Sequence, residues 1–483
     1  MLLGLLGFLI SFAGSWQPSF WGDEAASVMS VERSLPSLFR MLGHVDAVHG
    51  TYYVFLHFWI DVFGASELSA RLPSAIAIGL ATAGTAVLAR GLINARVAVI
   101  AALVFAVLPR VTFMGTEARS TAAATAIGVW LTILLVQALR TRSTHAGIRF
   151  GLWAGYAVVL AAGTCVFLDL ALILAAHALA VVLFTTPPER RRTAARWAAS
   201  TLAGLALSSP VIYWSVSQSQ QIAFIGRRPQ AGVFDVAVIQ WFGTLPFAIV
   251  AWAMMVLAVV TVIGNRRGAP TSAHATRSVL AVMFAWMLVP TVVLLIGTHV
   301  ITPMYAHRYL SFCTPAVAIV IAVGIACFRM RWLQVAAVLL LAALAVPSYL
   351  VQREEFGKGS DWRVAAEAVQ AKANPGDALV FDESVRASRK PRLALHLYPA
   401  EFQGLQDVTL DQPFSATDGL WDTTIPLASA ASRLAHTNTV WLLQYKGSRE
   451  STEDTDIRTL QQLGFTMTSE TTVHRTIIVE LTR

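Results

Sequence analysis

Cysteine and charged residues are both scarce in this sequence. The three cysteines, Cys165, Cys313 and Cys327, lie in apolar stretches and have neither metal-ligand nor CxxC spacing. We therefore expect free, buried thiols and no disulfide framework. Charged residues make up only 13% of the 483 residues, whereas 56% are hydrophobic. One water-soluble core cannot enclose that much apolar surface, so lipid must be part of the solvent.

The sequence also lacks the signatures of nucleotide binding. It contains no P-loop and no Rossmann fingerprint, and no DxD motif is clearly placed to hold a nucleotide-bound metal. Paired internal repeats, which are common in secondary transporters, are not evident either. The net charge of +8 is spread over short gaps between apolar runs rather than along one stripe, so it does not indicate a nucleic-acid partner.

About eleven apolar segments are long enough, or nearly long enough, to cross roughly 30 Å of hydrocarbon. The first is short, but it has no basic n-region and no clear cleavage site, so we favour a membrane span over a signal peptide. The pattern predicts an all-α polytopic membrane domain over residues 1–351. The predicted spans are 2–16, 72–90, 96–110, 120–139, 150–167, 169–186, 197–216, 238–264, 279–299, 309–328 and 332–351.

Arginine follows alternate spans and sets the predicted orientation. By the positive-inside rule, these arginine-rich loops are cytoplasmic, and Glu189 is the only acid in them. The N-terminus is then cytoplasmic in a multi-pass protein of the cell membrane. The arginines are Arg90, Arg96, Arg140, Arg142, Arg149, Arg190, Arg191, Arg192, Arg196, Arg266, Arg267, Arg277, Arg329 and Arg331. The predicted outer segments are residues 17–71, 111–119, 217–237, 300–308 and 352–483.

The last 130 or so residues differ from the rest in composition. Charge density rises after residue 352, and Ala378–Phe381, Val440–Leu443 and Ile477–Leu481 have the pattern of short strands between helical or turn-rich pieces. We predict a small extracytoplasmic α/β domain over residues 352–483.

The first outer loop is the richest in groups that could perform chemistry. Asp23 and Glu24 follow the first span, and His49 lies further along the loop; between them, Leu35–Leu42 has the spacing of a short amphipathic helix. A carboxylate there can act as a general base on an acceptor hydroxyl. The alternative is that Asp23 is a helix N-cap with Glu24 in the first turn. His49 could accept a proton, orient the acceptor or cap the segment that follows.

Three residues near His49 are candidates for binding the acceptor: Asp46, Tyr52 and Tyr53. The two tyrosines begin an aromatic-rich run that continues to Trp59. Such a run is more often an interfacial belt than a platform for a sugar, so packing is the favoured interpretation of the tyrosines.

Two further outer clusters could bind a lipid phosphate, because arginine suits bidentate phosphate contact. Arg119 follows Glu117, and Arg308 lies between His307 and Tyr309. Alternatively, Arg119 pairs with Glu117 or Asp23, and Arg308 reaches towards lipid headgroups. Arg227 and Arg228, in another outer loop, could bind any anionic lipid.

Taken in order, these motifs resemble the GT-C superfamily of membrane glycosyltransferases. The resemblance is to the bacterial branch similar to dolichyl-phosphate-mannose protein mannosyltransferases and lipid A aminoarabinose transferases. The motifs run over most of the chain: Trp21-Gly22-Asp23-Glu24, His49 through Gly64 with Ser66-Glu67, Arg71-Leu72-Pro73-Ser74, Glu117-Ala118-Arg119, His307-Arg308-Tyr309-Leu310 with Pro315, Asp361-Trp362-Arg363 and Pro375-Gly376-Asp377. Asp23 matches the position proposed as the family's catalytic base.

The resemblance implies inverting transfer of a sugar from a polyprenyl-phosphate carrier to an envelope glycan, glycolipid or protein. Asp23 would be the base, Glu24 and His49 would orient it or the acceptor, and Arg119 and Arg308 would stabilise the departing phosphate. No cofactor is required and no metal site is predicted, although a divalent cation at Asp23 and Glu24 is possible. The Ala- and Arg-rich composition resembles that of actinobacteria, whose carriers would supply mannose or arabinofuranose.

Gly50-Thr51 departs from the Pro-Pro that follows the histidine in many relatives, and a tyrosine often lies closer to the Glu-Ala-Arg motif than here. These departures concern the acceptor more than the type of reaction. Two other functions stay open from sequence. One is a transporter or flippase of lipid-linked sugars, and the other is a non-catalytic cell-envelope scaffold.

Overall fold

The computed structural model describes residues 1–141, 145–227, 231–264, 270–447 and 450–483; within these ranges, side chains at 224, 227, 270–274 and 450–454 are not described. The predictions that concern Arg142, Arg228, Arg266, Arg267 and the side chain of Arg227 therefore lie outside the described residues.

The described part of the chain contains nineteen α-helices, joined by short 3₁₀ turns and loops. They are α1 (Leu2–Phe12), α2 (Gly22–Val31), α3 (Leu35–Leu42), α4 (Gly50–Phe63), α5 (Glu67–Leu92), α6 (Ala95–Val107), α7 (Pro109–Met114), α8 (Thr121–Arg140), α9 (Ala146–Val166), α10 (Leu174–Phe184), α11 (Pro187–Leu207), α12 (Ser209–Ser217), α13 (Leu245–Gly264), α14 (Pro270–Val300), α15 (Thr314–Ala326), α16 (Arg331–Val351), α17 (Trp362–Gln370), α18 (Leu393–Leu397) and α19 (Glu450–Gln462).

Seven described helices are long and apolar enough to cross a membrane, and α11 with α12 forms a further apolar pair bent by 58°. Three shorter apolar helical segments lie at Leu2–Phe12, Ala95–Val107 and Leu168–Phe184. These elements follow the eleven predicted spans in order. The prediction of a helical, multi-pass membrane protein is confirmed, while the number of crossings and the sides of the loops stay predictions.

The chain divides into two compact units. The first, here called the helical unit, comprises Met1–Gly14, Asp46–Tyr52 and Arg71–Leu350; the second, here called the mixed unit, comprises Ser15–Val45, Tyr53–Ala70 and Val351–Arg483. Most of the loop 17–71, which the sequence analysis assigns to the membrane domain, thus groups with the C-terminal residues. The predicted functional boundary at residue 351 stays a prediction.

Helix α15 lies at the centre of the helical unit. Every residue from Thr314 to Ile325 is buried, and the helix packs against α6, α13 and α14. Local signals explain where neighbouring helices begin. The side chain of Asn94 accepts a hydrogen bond from the backbone N–H of Val97 at 3.0 Å, which caps α6. Pro109 occupies the first turn of α7, where the missing N–H costs nothing.

A five-stranded sheet forms the core of the mixed unit, in the order β2-β1-β5-β7-β6. Strand β1 is parallel to both β2 and β5, whereas β7 is antiparallel to β5 and β6. The predicted small α/β domain is confirmed as a fold. The strands are β1 (Ala378–Phe381), β2 (Gln406–Asp407), β3 (Leu410–Gln412), β4 (Thr423–Thr424), β5 (Thr439–Tyr445), β6 (Thr466–Thr472) and β7 (Thr476–Thr482); β3 and β4 form a separate antiparallel pair.

Candidate active site

In the helical unit, His49 lies on a loop that is anchored by glutamine side chains. Asp46 has a left-handed backbone conformation, with φ of 60°, and precedes a single 3₁₀ turn at Ala47–His49. The N–H of Asp46 donates to Oε1 of Gln221 at 3.0 Å, and the N–H of Ala47 donates to Oε1 of Gln218 at 2.9 Å. The amides of two glutamines therefore fix the turn that carries His49.

Arg119 contacts the imidazole of His49 directly. Nη2 of Arg119 lies 2.9 Å from Nε2 of His49. Since a guanidinium group only donates, Nε2 must accept, and the proton of the neutral ring is then on Nδ1. Burial, together with the positive charges of Arg119 and Arg308, holds the pKa of His49 well below its usual 6.5. His49 is therefore neutral at physiological pH and lies beside two permanent cations.

Arg308 lies in a 3₁₀ segment, His307–Cys313, that leads into the central helix α15. Its guanidinium carbon lies 5.6 Å from the centre of the Tyr309 ring, within the range of a cation–π contact. His307 and Tyr309 are half-buried on either side. The structure thus brings two of the predicted phosphate ligands, Arg119 and Arg308, into the electrostatic environment of one histidine.

A third arginine, Arg110, belongs to the same electrostatic environment and was missed by the sequence analysis. It is only 8% exposed, and it donates through Nε to the carbonyl of Gln240 at 2.9 Å and through Nη2 to that of Ile239 at 3.2 Å. Glu117 and Arg308 act on it electrostatically. In the sequence, Arg110 lies at the end of a predicted span. No local pattern indicates that it contacts Gln240, which is 130 residues further along the chain.

Gln240 links Arg110 to two further elements. Its Nε2 donates to Oγ1 of Thr291 at 3.1 Å, and its Oε1 accepts from the hydroxyl of Tyr305 at 2.8 Å. Gln240 directly follows a single π-helical turn, Asp235–Ile239, a type of turn that often occurs at functional sites. This network fixes Arg110 beside the segment that carries Arg308.

Glu117 is almost completely buried, at 2% exposed, in the loop before Arg119. The hydroxyl of Ser74 donates to the backbone carbonyl of Glu117 at 2.5 Å, so α5 fixes that loop. Arg119 and Arg308 act electrostatically on neutral His49, and Arg308 also acts on Arg110, so the three arginines form one cationic cluster with Glu117 as an acid nearby. Such a cluster can bind an anion with a high charge density, as a phosphate monoester or diester has.

The mixed unit contains Asp23 and Glu24, both in the first turn of α2. The N-cap of this helix is Trp21, so the alternative that Asp23 is itself the N-cap is wrong. Carboxylates in a first turn are favoured by the helix dipole, which accounts for part of their placement. Glu24 is completely buried, whereas Asp23 is partly exposed and lines an open cleft.

The described residues around this cleft enclose about 170 Å³ and come from five parts of the mixed unit. Helix α2 approaches one wall closely: a Cβ at Gly22 would lie 2.2 Å from the carbonyl oxygen of Ser388, so only glycine fits there. The lining residues are Trp21, Gly22, Asp23, Lys358, Gly359, Ser360, Asp361, Trp362, Arg386, Ser388, Arg389, Tyr445, Arg475 and Thr476.

Asp361 holds the far wall of the cleft to the sheet. It is 1% exposed, and its carboxylate accepts hydrogen bonds from the N–H of Arg475 at 2.6 Å, the N–H of Thr476 at 2.8 Å and Oγ1 of Thr476 at 2.9 Å. Gly359, with φ of 71°, leaves room for the guanidinium group of Arg475. The Asp361-Trp362-Arg363 motif therefore has a clear structural function at its first residue.

The third residue of that motif joins distant parts of the mixed unit. Nη1 of Arg363 donates to Oε1 of Glu67 at 3.2 Å, and the same oxygen accepts from the hydroxyl of Tyr398 at 2.7 Å. The Tyr398 oxygen also accepts from the N–H of Phe20 at 3.0 Å. Burial and the charge of Glu67 raise the pKa of Tyr398, so it stays a neutral donor. This arrangement fixes the loop that leads into α2 and Asp23.

The remaining predicted site residues differ in their burial. Tyr52 and Tyr53 are 3% and 0% exposed, which agrees with the packing interpretation, and Asp46 is half-buried. Their role in binding the acceptor stays a prediction, as does the catalytic role of each residue named above. Among the described residues, no three His, Cys, Asp or Glu side chains are grouped closely enough to hold a metal ion.

Comparison with known proteins supports the resemblance. Residues 51–214 match the family model of dolichyl-phosphate-mannose-protein mannosyltransferases, and no curated protein sequence matches significantly. ArnT from Cupriavidus metallidurans, solved with undecaprenyl phosphate, superposes with a TM-score of 0.59 at 13% identity, covering 99% of this chain and 97% of ArnT.

Two further solved structures share the fold. The oligosaccharyltransferase AglB from Archaeoglobus fulgidus, in complex with an inhibitory peptide and a dolichol-phosphate, has a TM-score of 0.52 at 10% identity, over 91% of this chain and 69% of AglB. The arabinofuranosyltransferase AftD from mycobacteria has a TM-score of 0.55 at 16% identity, over 100% of this chain and 39% of AftD. These matches confirm the predicted GT-C fold and the predicted resemblance to membrane glycosyltransferases.

Proposed function

We propose that this chain is an inverting glycosyltransferase that moves a sugar from a polyprenyl-phosphate carrier to an acceptor of the cell envelope. The cationic cluster beside neutral His49 is the observation that carries the proposal. Arg110, Arg119 and Arg308 together provide more positive charge than Glu117 offsets, in a part of a membrane protein where a lipid-linked phosphate is the expected anion. The match to a mannosyltransferase family over residues 51–214, which includes Arg110, Glu117 and Arg119, supports the same conclusion.

The proposed reaction divides the work between the acid and the arginines. Asp23 accepts the proton of the acceptor hydroxyl while the oxygen attacks the anomeric carbon of the sugar. The bond between that carbon and the phosphate oxygen breaks, and the electron pair leaves with the polyprenyl phosphate. Arg119 and Arg308 stabilise the negative charge that develops on the phosphate. A single displacement of this kind inverts the anomeric configuration.

Other predicted residues have supporting roles in this proposal. Neutral His49 accepts a hydrogen bond from Arg119 and so orients its guanidinium group. Glu24 is fully buried and would act by fixing α2 rather than by touching substrate. Mannose and arabinofuranose are the proposed sugars, because the matching family is named for mannosyl transfer and AftD for arabinofuranosyl transfer.

The test is transfer of radiolabel by the purified full chain in lipid vesicles. Polyprenyl-phosphate mannose and polyprenyl-phosphate arabinofuranose are supplied separately, with envelope extract as acceptor. We expect label transfer from one donor. Asp23→Asn should lower the turnover by about 10²- to 10⁴-fold, the usual contribution of a general base. Arg119→Gln should lower it by about 10²-fold through lost stabilisation of the leaving phosphate.

Asp411→Asn is the matched control, because Asp411 is an exposed aspartate of the mixed unit outside the cleft. It should turn over at the wild-type rate. Equal transfer by wild type and Asp23→Asn would remove Asp23 from the reaction. No transfer from either donor by a folded protein would contradict the proposal and favour a transporter of lipid-linked sugars.

A further inference from the structure

The cleft beside Asp23 has a strongly cationic lining. Four basic side chains line it, from Lys358, Arg386, Arg389 and Arg475, against the two carboxylates of Asp23 and Asp361. The charge of Asp361 is already engaged by the three hydrogen bonds from Arg475 and Thr476. An excess of positive charge therefore surrounds the residue proposed to activate the acceptor.

Two of these cations have no partner within the described ranges. The guanidinium groups of Arg389 and Arg475 make neither a hydrogen bond nor an ion pair there, and Arg389 is exposed while Arg475 is half-buried. Arginines removed from water are normally paired, and the half-buried Arg363 of the same unit is paired with Glu67. Two guanidinium groups that line one cleft can each offer two parallel N–H donors, which suits the binding of a phosphate or carboxylate group.

Backbone groups add to the same electrostatic preference. Helix α2 begins at the cleft with Gly22, and helix α17 begins there with Trp362, so the positive dipole ends of two helices lie at the cleft. Neither N-cap side chain makes a capping hydrogen bond. Ser360, another lining residue, is only 6% exposed, and its hydroxyl has no hydrogen-bond partner in the described part of the chain. A buried hydroxyl of this kind is satisfied when a ligand oxygen reaches it.

Aromatic side chains indicate that the ligand is a sugar as well as an anion. Trp21, Trp362 and Tyr445 line the same cleft as the arginines. Aromatic rings offer a flat apolar surface with a polar edge, which suits the faces of a sugar ring. The volume of about 170 Å³ is below the usual range of pockets for drug-sized ligands, so it fits one charged sugar unit rather than an extended glycan.

We propose that this cleft binds an anionic sugar of the acceptor, one that carries a phosphate or a carboxylate, next to Asp23. The proposal rests on the proposed function, which it deepens by naming the acceptor class. It places Arg389 and Arg475 as specificity-determining residues: they select an acceptor by its charge, whereas Arg119 and Arg308 bind the phosphate of the donor.

The direct test is binding of simple sugars to the purified full chain, without donor and without turnover. Glucose 6-phosphate, glucuronate and glucose are titrated separately by isothermal calorimetry. We expect the phosphate, the carboxylate or both to bind measurably more tightly than glucose, and the two anions distinguish the two chemical sources. Arg475→Gln and Arg389→Gln should each weaken that binding at least about tenfold, the loss expected for a charged hydrogen bond.

Two control variants locate the binding. Lys372→Gln removes one exposed cation of the mixed unit outside the cleft and should leave the affinity unchanged. Arg119→Gln alters the cationic cluster of the helical unit, so it distinguishes any binding of glucose 6-phosphate at that cluster from binding in the cleft. Arg475→Lys keeps the charge and should retain much of the binding, which separates charge recognition from misfolding.

Three results would overturn the inference: equal affinity for glucose and the two anions, unchanged affinity in both Arg389→Gln and Arg475→Gln, or loss of binding in Arg119→Gln alone. The proposed function has its own readout in label transfer. Transfer of label without anion binding would contradict the proposed anion-binding cleft but not the proposed glycosyltransferase activity. Anion binding without transfer would contradict the activity but not the binding cleft.

Discussion

The helical unit and the mixed unit place their apolar residues by different rules. In the helical unit, α15 is buried on all sides, yet α16 is equally apolar while Leu339 on it is 62% exposed. In the mixed unit, the buried strand β7 is apolar and its neighbour β6 is exposed and rich in threonine. The helical unit is therefore built to face lipid and the sheet of the mixed unit to face water, whereas the segment Tyr53–Ala70 of the mixed unit also exposes apolar side chains such as Phe58. An exposed leucine is consequently suited to lipid contact in the helical unit, while on the sheet of the mixed unit it would favour aggregation.

Buried arginines in both units donate to neutral main-chain carbonyls, and the mixed unit also pairs one of them with carboxylates. In the helical unit, Arg110 donates to neutral main-chain carbonyls, those of Gln240 and Ile239. In the mixed unit, Arg33 donates to the carbonyls of Thr417 and Gly419, whereas Arg392 pairs with the carboxylates of Glu383 and Asp407. A guanidinium group that is bound only to neutral acceptors keeps its full positive charge for an incoming anion. In the proposed function, the charge that Arg110 keeps contributes to binding the phosphate of the donor.

The largest effect on stability is expected from a substitution in the helical unit that adds a methyl group where the packing leaves no room for one. A Cβ at Gly324 in α15 would lie 1.9 Å from the carbonyl oxygen of Met254 in α13. Gly324→Ala should therefore destabilise the helical unit by about 3 kcal/mol, the upper end of overpacking costs. All three cysteines lie in this unit, so the rate at which the buried Cys313 is labelled by a thiol reagent measures its unfolding.

Gly155→Ala is the matched control, since no described atom lies within 4 Å of the Cβ that it would add in α9. Alanine is also the better helix former, so labelling of Cys313 should be unchanged or slower. Equal acceleration by both variants would mean that the contact between α13 and α15 is not what limits unfolding.

A smaller effect, confined to the other unit, is expected from Asp361→Asn. The amide puts an NH₂ group where the carboxylate accepts three hydrogen bonds, so the mixed unit should lose about 2 kcal/mol. Hydrogen exchange of β7 amides should speed up accordingly. The mixed unit contains no cysteine, so labelling of Cys313 should stay at the wild-type rate. A parallel rise in Cys313 labelling would contradict the assignment of this effect to the mixed unit alone.

The smallest effect is a pH dependence that His49 gives to the helical unit. Because the folded-state pKa of His49 is lowered, the unfolded chain binds the proton more readily, and stability falls as the pH drops through 6.5 towards that lower value. The thermal midpoint, followed by circular dichroism, should therefore fall between pH 7.5 and pH 5.5. His49→Gln keeps an acceptor for Arg119 and does not titrate, so its midpoint should fall less. An identical fall in both proteins would show that other groups dominate.

The sequence predicted elements well where a pattern is local. The amphipathic spacing of Leu35–Leu42 predicted α3 with its observed bounds, and apolar runs predicted β1 and the centres of β5 and β7. It missed β6, because Thr466–Thr472 is an exposed, polar strand with no buried face to create alternation. Local patterns reveal burial, and β6 has little.

The candidate site was predictable only in part, for a related reason. His49, Arg119 and Arg308 attracted attention as polar residues beside apolar runs, and the structure groups them. Arg110 and Arg475 carry no comparable signal, because their importance arises from chain segments that are more than a hundred residues away in sequence. Such neighbours are set by tertiary packing, which single-sequence patterns do not contain.

The division of the mixed unit along the chain has a consequence for biosynthesis. Its segments at Ser15–Val45 and Tyr53–Ala70 are made first, whereas Val351–Arg483 is made last. At translation rates of about 5–20 residues per second, the early segments wait on the order of tens of seconds for their partners. During that time Phe20 and Glu67 lack the Tyr398 hydroxyl that later fixes both. The unit that carries Asp23 can therefore be completed only after the ribosome has synthesised the whole membrane-spanning region.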